Sequence, residues 1–119
     1  MNKEHSEYLI KNFPNLYQGY GGDPRETLMA FGFECGDGWF EIIKELSEKL
    51  EPLDVVAVQV KEKFGTLRFY IGYGCDEAFD AIDLAGDKSA ETCEKCGEPG
   101  SLRDAGWVHT LCNSCDVHD

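Results

Sequence analysis

Two Cys-x-x-Cys pairs, Cys93/Cys96 and Cys112/Cys115, stand fifteen residues apart, and nothing else in the sequence constrains the fold as tightly. A pair of thiolates two residues apart turns both sulfurs toward one ion, and two such knuckles complete a tetrahedron. Six cysteines in a chain of 119 residues would suggest disulfides in an exported protein. Here MNKEHSEYLIKNF offers no apolar stretch for a signal peptide or a membrane span. The expectation is a reducing, cytoplasmic setting and structural Zn²⁺ on Cys93, Cys96, Cys112 and Cys115. An iron–sulfur centre is a weaker alternative, and His109 or His118 could stand in for a cysteine. Four protein ligands leave no open coordination position, so the metal is read as structural. Cys35 and Cys75 are read as small buried apolar residues rather than as a second metal site or redox pair.

Upstream, residues 3–12 read as a short helix ended by Phe13-Pro14, because the residue before proline avoids the α region. Residues 15–22 (NLYQGYGG) form an aromatic, glycine-rich loop. Asp23 is expected to cap a two-turn helix with Pro24 in its first position and Glu26 closing a capping box, limited by Gly32. FGFECGDG (31–38) reads as a tight loop leading into a helix over 38–50. Trp39, Ile42, Ile43, Leu46 and Leu50 mark one apolar stripe of that helix.

A hairpin follows. Val56, Val58 and Val60 alternate, as do Leu67, Phe69 and Ile71, and a turn at Phe64-Gly65 pairs Val60 with Phe69 and Val58 with Ile71. That hairpin should pack on the 38–50 helix and turn Gln59, Lys61, Lys63, Arg68 and Tyr70 outward. A last helix, 76–91, carries Phe79, Ile82 and Ala85 as its apolar stripe. The predicted architecture is α+β: a small hairpin-centred antiparallel sheet covered by helices over residues 1–92. A zinc-ribbon or treble-clef-like lobe over 93–119 packs on it, with a turn at Asp104-Ala105-Gly106.

The charge is lopsided. Eleven Lys and Arg face 23 Asp and Glu, a net charge of −12. Affinity for phosphate backbones and anionic membranes comes mainly from basic residues, so duplex DNA and membranes are not expected partners. Asp76, Asp80, Asp83, Asp87 and Glu91 recur at spacings of four, three, four and four, forming an acidic ridge about 22 Å long on one helical face. The plain reading is a solvated face; the sharper one is a ridge that engages a basic partner. Opposite in sign, Lys61, Lys63, Arg68 and Tyr70 form a candidate anion-binding patch. Lys61 stands directly across from Arg68, which costs stability unless an acid or an anion lies between them. Acids from the 31–38 loop or a helix are the expected neutralisers, and Arg25, Trp39 and Glu34–Asp37 could share such a pocket.

A His-Asn-His nuclease built on His109, Asn113 and His118 is not expected. The sequence ends at Asp119 without a further helix to bring His118 beside His109, and its acidity opposes a nucleic-acid substrate. No phosphate-binding loop, dinucleotide fingerprint or Ser–His–Asp pattern is readable.

Three runs in order, PRETLMAFGFECGDGWFEII (24–43), VQVKEKFGTLRFY (58–70) and CEKCGEPGSLRDAGWVHTLC (93–112), resemble a family of small proteins of phages and bacterial genomes. The likeness spans most of the chain beyond residue 23. It implies a phage or mobile-element context and action in the host cytoplasm, and it carries over no catalytic residue. The family often closes its second knuckle as Cys-x-x-His, whereas Ser114-Cys115 closes it here with a cysteine. The leading functional expectation is a non-enzymatic, zinc-stabilised acidic protein that engages and modulates or inhibits a host or defence protein with a basic surface. The alternative is a binder or sequestering protein for an anionic, nucleotide-like small molecule. A zinc-dependent enzyme is the weaker third reading.

Overall fold

Asn2 opens the first helix, α1 (Lys3–Asn12), by accepting the His5 N–H on its side chain at 2.8 Å. Helix α1 stops at Phe13, as the following proline requires. The computed structural model describes residues 1–104 and 106–116. Leu9, Phe13, Leu16 and Tyr17 turn inward, so the aromatic loop expected over 15–22 enters the core with its first residues. Tyr17 is buried, and its hydroxyl pairs with Ser47 Oγ at 2.6 Å, which satisfies the one polar atom it takes inside.

The helix expected from Asp23 does not form. Asp23 spends its carboxylate on the Arg25 N–H and guanidinium, while its carbonyl accepts the Glu26 and Thr27 N–H groups in a single isolated turn. Thr27 is then extended and caps a short 3-10 turn, Leu28–Phe31, by accepting Met29 N–H. Met29, within this turn, is fully buried. Gly32, at φ 74°, ends the turn as its sequence position suggested.

The loop over 31–38 holds a short strand the sequence did not announce. β1 (Phe33–Glu34) runs parallel to β2 (Ala57–Lys63), with Phe33 beside Val60 and Glu34 beside Lys61. Two residues are too few to show a period. A 3-10 turn at Asp37–Trp39 leads into α2 (Phe40–Leu50), whose Ile43, Leu46 and Leu50 are buried together with Trp39.

β2 pairs antiparallel with β3 (Thr66–Ile71), and the order β1-β2-β3 completes a mixed three-stranded sheet. Val60 faces Phe69 and Lys61 faces Arg68, as predicted. The pairing of Val58 with Ile71 is corrected: Ala57 takes that place, because the register shifts between Ala57 and Gln59. One extra residue reverses the parity of everything before it. Val55 and Ala57 are therefore buried, while Val56 and Val58 are only partly covered.

α3 (Asp76–Ser89) lies along β3, and α2 packs against α3. Ser89 Oγ accepts the Leu67 N–H at 2.8 Å. Thus α3, rather than α2 alone, covers the hairpin. Its buried residues are Ala78, Ala85 and Ser89, whose small size permits that approach. Phe79, expected inward, is 45% exposed. The helix also ends two residues earlier than predicted. Glu91 and Thr92 are drawn into contacts with Gly100 and Pro99, so Glu91 follows α3 rather than lying on it.

A second sheet, β4 (Ser101–Asp104) against β5 (Val108–Leu111), joins the two cysteine knuckles. The expected turn at 104–106 includes Ala105, which lies outside the described residues. No described helix is long and apolar enough to cross a membrane.

Candidate metal centre

Each knuckle is shaped by backbone hydrogen bonds. Gly97 N–H bonds to Cys93 O at 2.9 Å with φ 85°, a reversal that glycine makes without strain. Asp116 N–H repeats the bond on Cys112 O at 3.0 Å. Arg103, on β4, fastens the second knuckle by donating to Leu111 O and Asn113 Oδ1 and pairing with Asp116 at 3.4 Å.

The Sγ atoms of Cys93, Cys96, Cys112 and Cys115 all lie within 4.8 Å of one another. Cys96 and Cys112 sulfurs are 3.6 Å apart, far beyond a disulfide bond and close to the roughly 3.8 Å that two 2.3 Å metal–sulfur bonds subtend in a tetrahedron. The quartet therefore fits a four-thiolate metal site. Burial opposes the Cys93 thiolate, but backbone N–H groups of Cys112, Cys96 and Lys95 outweigh it and hold the pKa down, to about 6. Hydrogen bonding to the sulfurs of Cys112, Cys93 and Cys96 pushes Cys115 up to about 12. Four thiols this close cannot all ionise without a cation among them.

The lobe is locked onto the core through glycines. Gly38 N–H bonds to Glu94 O at 2.6 Å, Gly36 N–H to Glu94 Oε2 at 2.8 Å, and Trp39 Nε1 to Thr92 O at 2.9 Å. A side chain at Gly36 would collide with Glu94 O, and one at Gly38 with Cys93 O. On the other flank, Thr110 Oγ1 donates to Gly65 O at 2.6 Å, and a Cβ on Gly65 would press on Leu102. The three runs FGFECGDGWF, VKEKFGTLRFY and CEKC…WVHTLC thus meet around Glu94.

That convergence gathers residues the sequence did not single out as a set. Donor atoms of Glu62, Glu94 and His109, from β2, the first knuckle and β5, also lie within 4.8 Å of one another, each side chain partly buried. Burial and the nearby Glu62 carboxylate raise the pKa of Glu94, against the lowering hydrogen bond from Gly36. No sequence signal short of the tertiary contact itself would have found this trio.

The two leftover cysteines differ. Cys35 is buried and its thiol is pushed up to about 12 by that burial, as a small apolar residue should be. Cys75 is exposed just before α3, against the expectation that it would be buried. Trp39 is fully buried and Arg25 is exposed and paired with Asp23, so neither shares a pocket with the hairpin. His118 lies outside the described residues.

Asp76, Asp80, Asp83 and Asp87 lie along α3 as expected, whereas Glu91 falls beyond its end, so the helical ridge holds four of the five acids; all five are exposed, and none has an ion-pair partner among the described residues. Lys88, the one base on α3 itself, turns away to Glu45 on α2 at 3.0 Å. Lys61, Lys63 and Arg68 form no described ion pair either, although Glu34 stands in register beside Lys61. Arg68 Nε is buried without a hydrogen-bond partner among the described residues. The two charged surfaces turn out to be adjacent. Arg68, Tyr70, Phe79, Ile82, Asp83 and Asp87 line one open groove of about 700 Å³ between β3 and α3. No family model, curated protein or solved structure matches the chain.

Proposed function

We propose that this chain is a non-enzymatic binding protein, stabilised by structural Zn²⁺, whose α3 face engages a basic surface of another protein. The four-thiolate set supports zinc over harder cations, because thiolates select soft or borderline metals. The observation that carries the binding reading is the β3–α3 groove. Its α3 wall presents exposed Phe79 beside Asp83 and Asp87, carboxylates left without partners within the described fold. An exposed aromatic flanked by unpaired charge is the composition of a contact surface, since the ring supplies area and the charges supply orientation and encounter rate. Given the resemblance, the partner class is a host or defence protein.

Asp83→Lys with Asp87→Lys tests this by pull-down from bacterial lysate at low and high salt. A partner retained by the wild type, released by salt and lost with the double variant supports the reading. Retention indifferent to both salt and charge reversal ends it.

Arg68 supports a second reading, in which the hairpin holds a small anion. Its unpartnered Nε and the facing Lys61 are the reason to keep that reading. Asp83 and Asp87 in the same groove weigh against it, because they repel an anion there. If Lys61→Ala with Arg68→Ala abolishes binding while reversal of the α3 acids does not, the anion reading replaces the first.

A further inference from the structure

Beyond the proposed binding role, we propose that Glu62, Glu94 and His109 form a second metal site, for a first-row divalent cation. Three separate elements bring these side chains together at the junction of the hairpin, the glycine loop and the cysteine lobe. Bonds of roughly 2.0–2.2 Å to carboxylate oxygen and imidazole nitrogen separate neighbouring donors by about 3–4 Å. A spread within 4.8 Å needs little contraction to meet that requirement.

The donors are held yet uncommitted. Glu62 Oε2 accepts the Gly65 N–H at 2.7 Å and Glu94 Oε2 accepts the Gly36 N–H at 2.8 Å. Each carboxylate is therefore oriented by one oxygen and keeps the other available. The His109 ring stacks near Trp107, its centroid 6.0 Å away. None of the three side chains is hydrogen-bonded to another, although all are close. Two carboxylates brought together beside an imidazole call for positive charge between them, and backbone amides orienting the ligands are the usual supporting shell of a metal site.

Two carboxylates with one imidazole, and no thiolate, select cations such as Zn²⁺, Co²⁺ or Mn²⁺ over Cu⁺. Unlike the four-cysteine site, three protein ligands leave coordination positions free. One of the three, Glu62, also lines an open cleft of about 330 Å³ together with Lys63, Phe64, Gly106, Trp107 and Val108.

The test is a Co²⁺ titration of the full chain with its cysteine site already loaded with Zn²⁺. One further equivalent of Co²⁺ should bind, with weak visible absorption and no sulfur-to-cobalt charge-transfer band. Glu62→Gln should weaken that binding at least tenfold, because losing a ligand exceeds the roughly 10–100-fold cost of losing a supporting group. Its amide oxygen still accepts the Gly65 N–H, and unchanged zinc content verifies its fold. His109→Ala should behave alike. Absence of a second equivalent, an intense charge-transfer band, or Co²⁺ binding undiminished in both variants would each overturn the proposal.

Discussion

The junction around Glu94 and the exposed face of α3 are built on opposite terms. At the junction, glycines clear space for backbone-to-backbone contact, and Gly36, Gly38, Trp39, Gly65 and Thr110 each spend a polar group on the neighbouring segment. On α3, four acids stand in a row on the helix with no ion-pair partner among the described residues, and the helix's own base, Lys88, pairs with Glu45 on α2. The first region is tied down by specific contacts; the second carries like-charge pairs one helical turn apart, each of which weakens the helix slightly.

Removing the metal should have the largest effect. Cys112→Ser should abolish stoichiometric zinc and destabilise the protein by on the order of 4 kcal/mol or more, since a structural metal contributes directly to folding. Metal analysis and chelator-dependent melting measure this. If the variant keeps its zinc and its melting temperature, the lobe is not held by the cysteines.

Next comes Gly38→Ala, which forces a methyl group against the Cys93 carbonyl. A loss of about 2–3 kcal/mol is expected, typical of a local clash with well-packed backbone. Denaturant unfolding should show it, with hydrogen-exchange protection lost at residues 93–97 before α2.

Asp37 supplies a pH-dependent term of well under about 1 kcal/mol, because its carboxylate is more than a third exposed and solvent screens its partners. Burial raises its pKa, but the Asn2 N–H, His5 and the N-terminal ammonium outweigh that and hold it below the usual carboxylate range. Its contribution is therefore present at neutral pH and fades as pH falls through the lowered folded pKa. Asp37→Asn should be less stable near pH 7 and converge with the wild type in acid; a constant difference across that range would remove the carboxylate from the account.

Phe64→Asn should stabilise the protein. Phe64 sits at φ 54° and Gly65 at φ 85°, the geometry of a two-residue turn that Asn-Gly adopts most readily. A gain of about 0.5–1 kcal/mol is expected, read as an upward shift of the urea midpoint.

The smallest change belongs to α3. Asp80→Lys with Asp87→Lys turns the contacts 76–80, 80–83 and 83–87 from repulsive to attractive, about 0.2–0.5 kcal/mol each. A stable, well-folded double variant sharpens the contrast between the two regions. A collapse in stability would mean the acids are structural after all.

The elements legible in the sequence were those with a period or a local spacing. α2 announced itself through Trp39, Ile43, Leu46 and Leu50, the hairpin through Val60 and Phe69, and the metal quartet through its two-residue knuckles. What escaped was set by contact. The bulge before Gln59 leaves no composition signal, and it moved Val58 out of register. Asp23 had all the marks of a helix cap, yet its carboxylate is taken up by Arg25 and Thr27 caps the turn that forms. Glycines at 36 and 38 read as loop formers when their purpose is to admit the first knuckle. Glu62, Glu94 and His109 belong to runs far apart in the chain, so only folding reveals them as a set.

Phe64 has a consequence for selection. A bulky residue with positive φ at the tip of a hairpin, 67% exposed, is a standing cost that drift toward stability would erase. Laboratory evolution under heat alone should replace it within few rounds, Asn being the favoured outcome. A lineage also required to keep whatever occupies the cleft between Phe64 and Trp107 should hold the phenylalanine and gain its stability elsewhere. The ratio of the two outcomes at that one codon measures how much the cleft is worth to the organism that carries it.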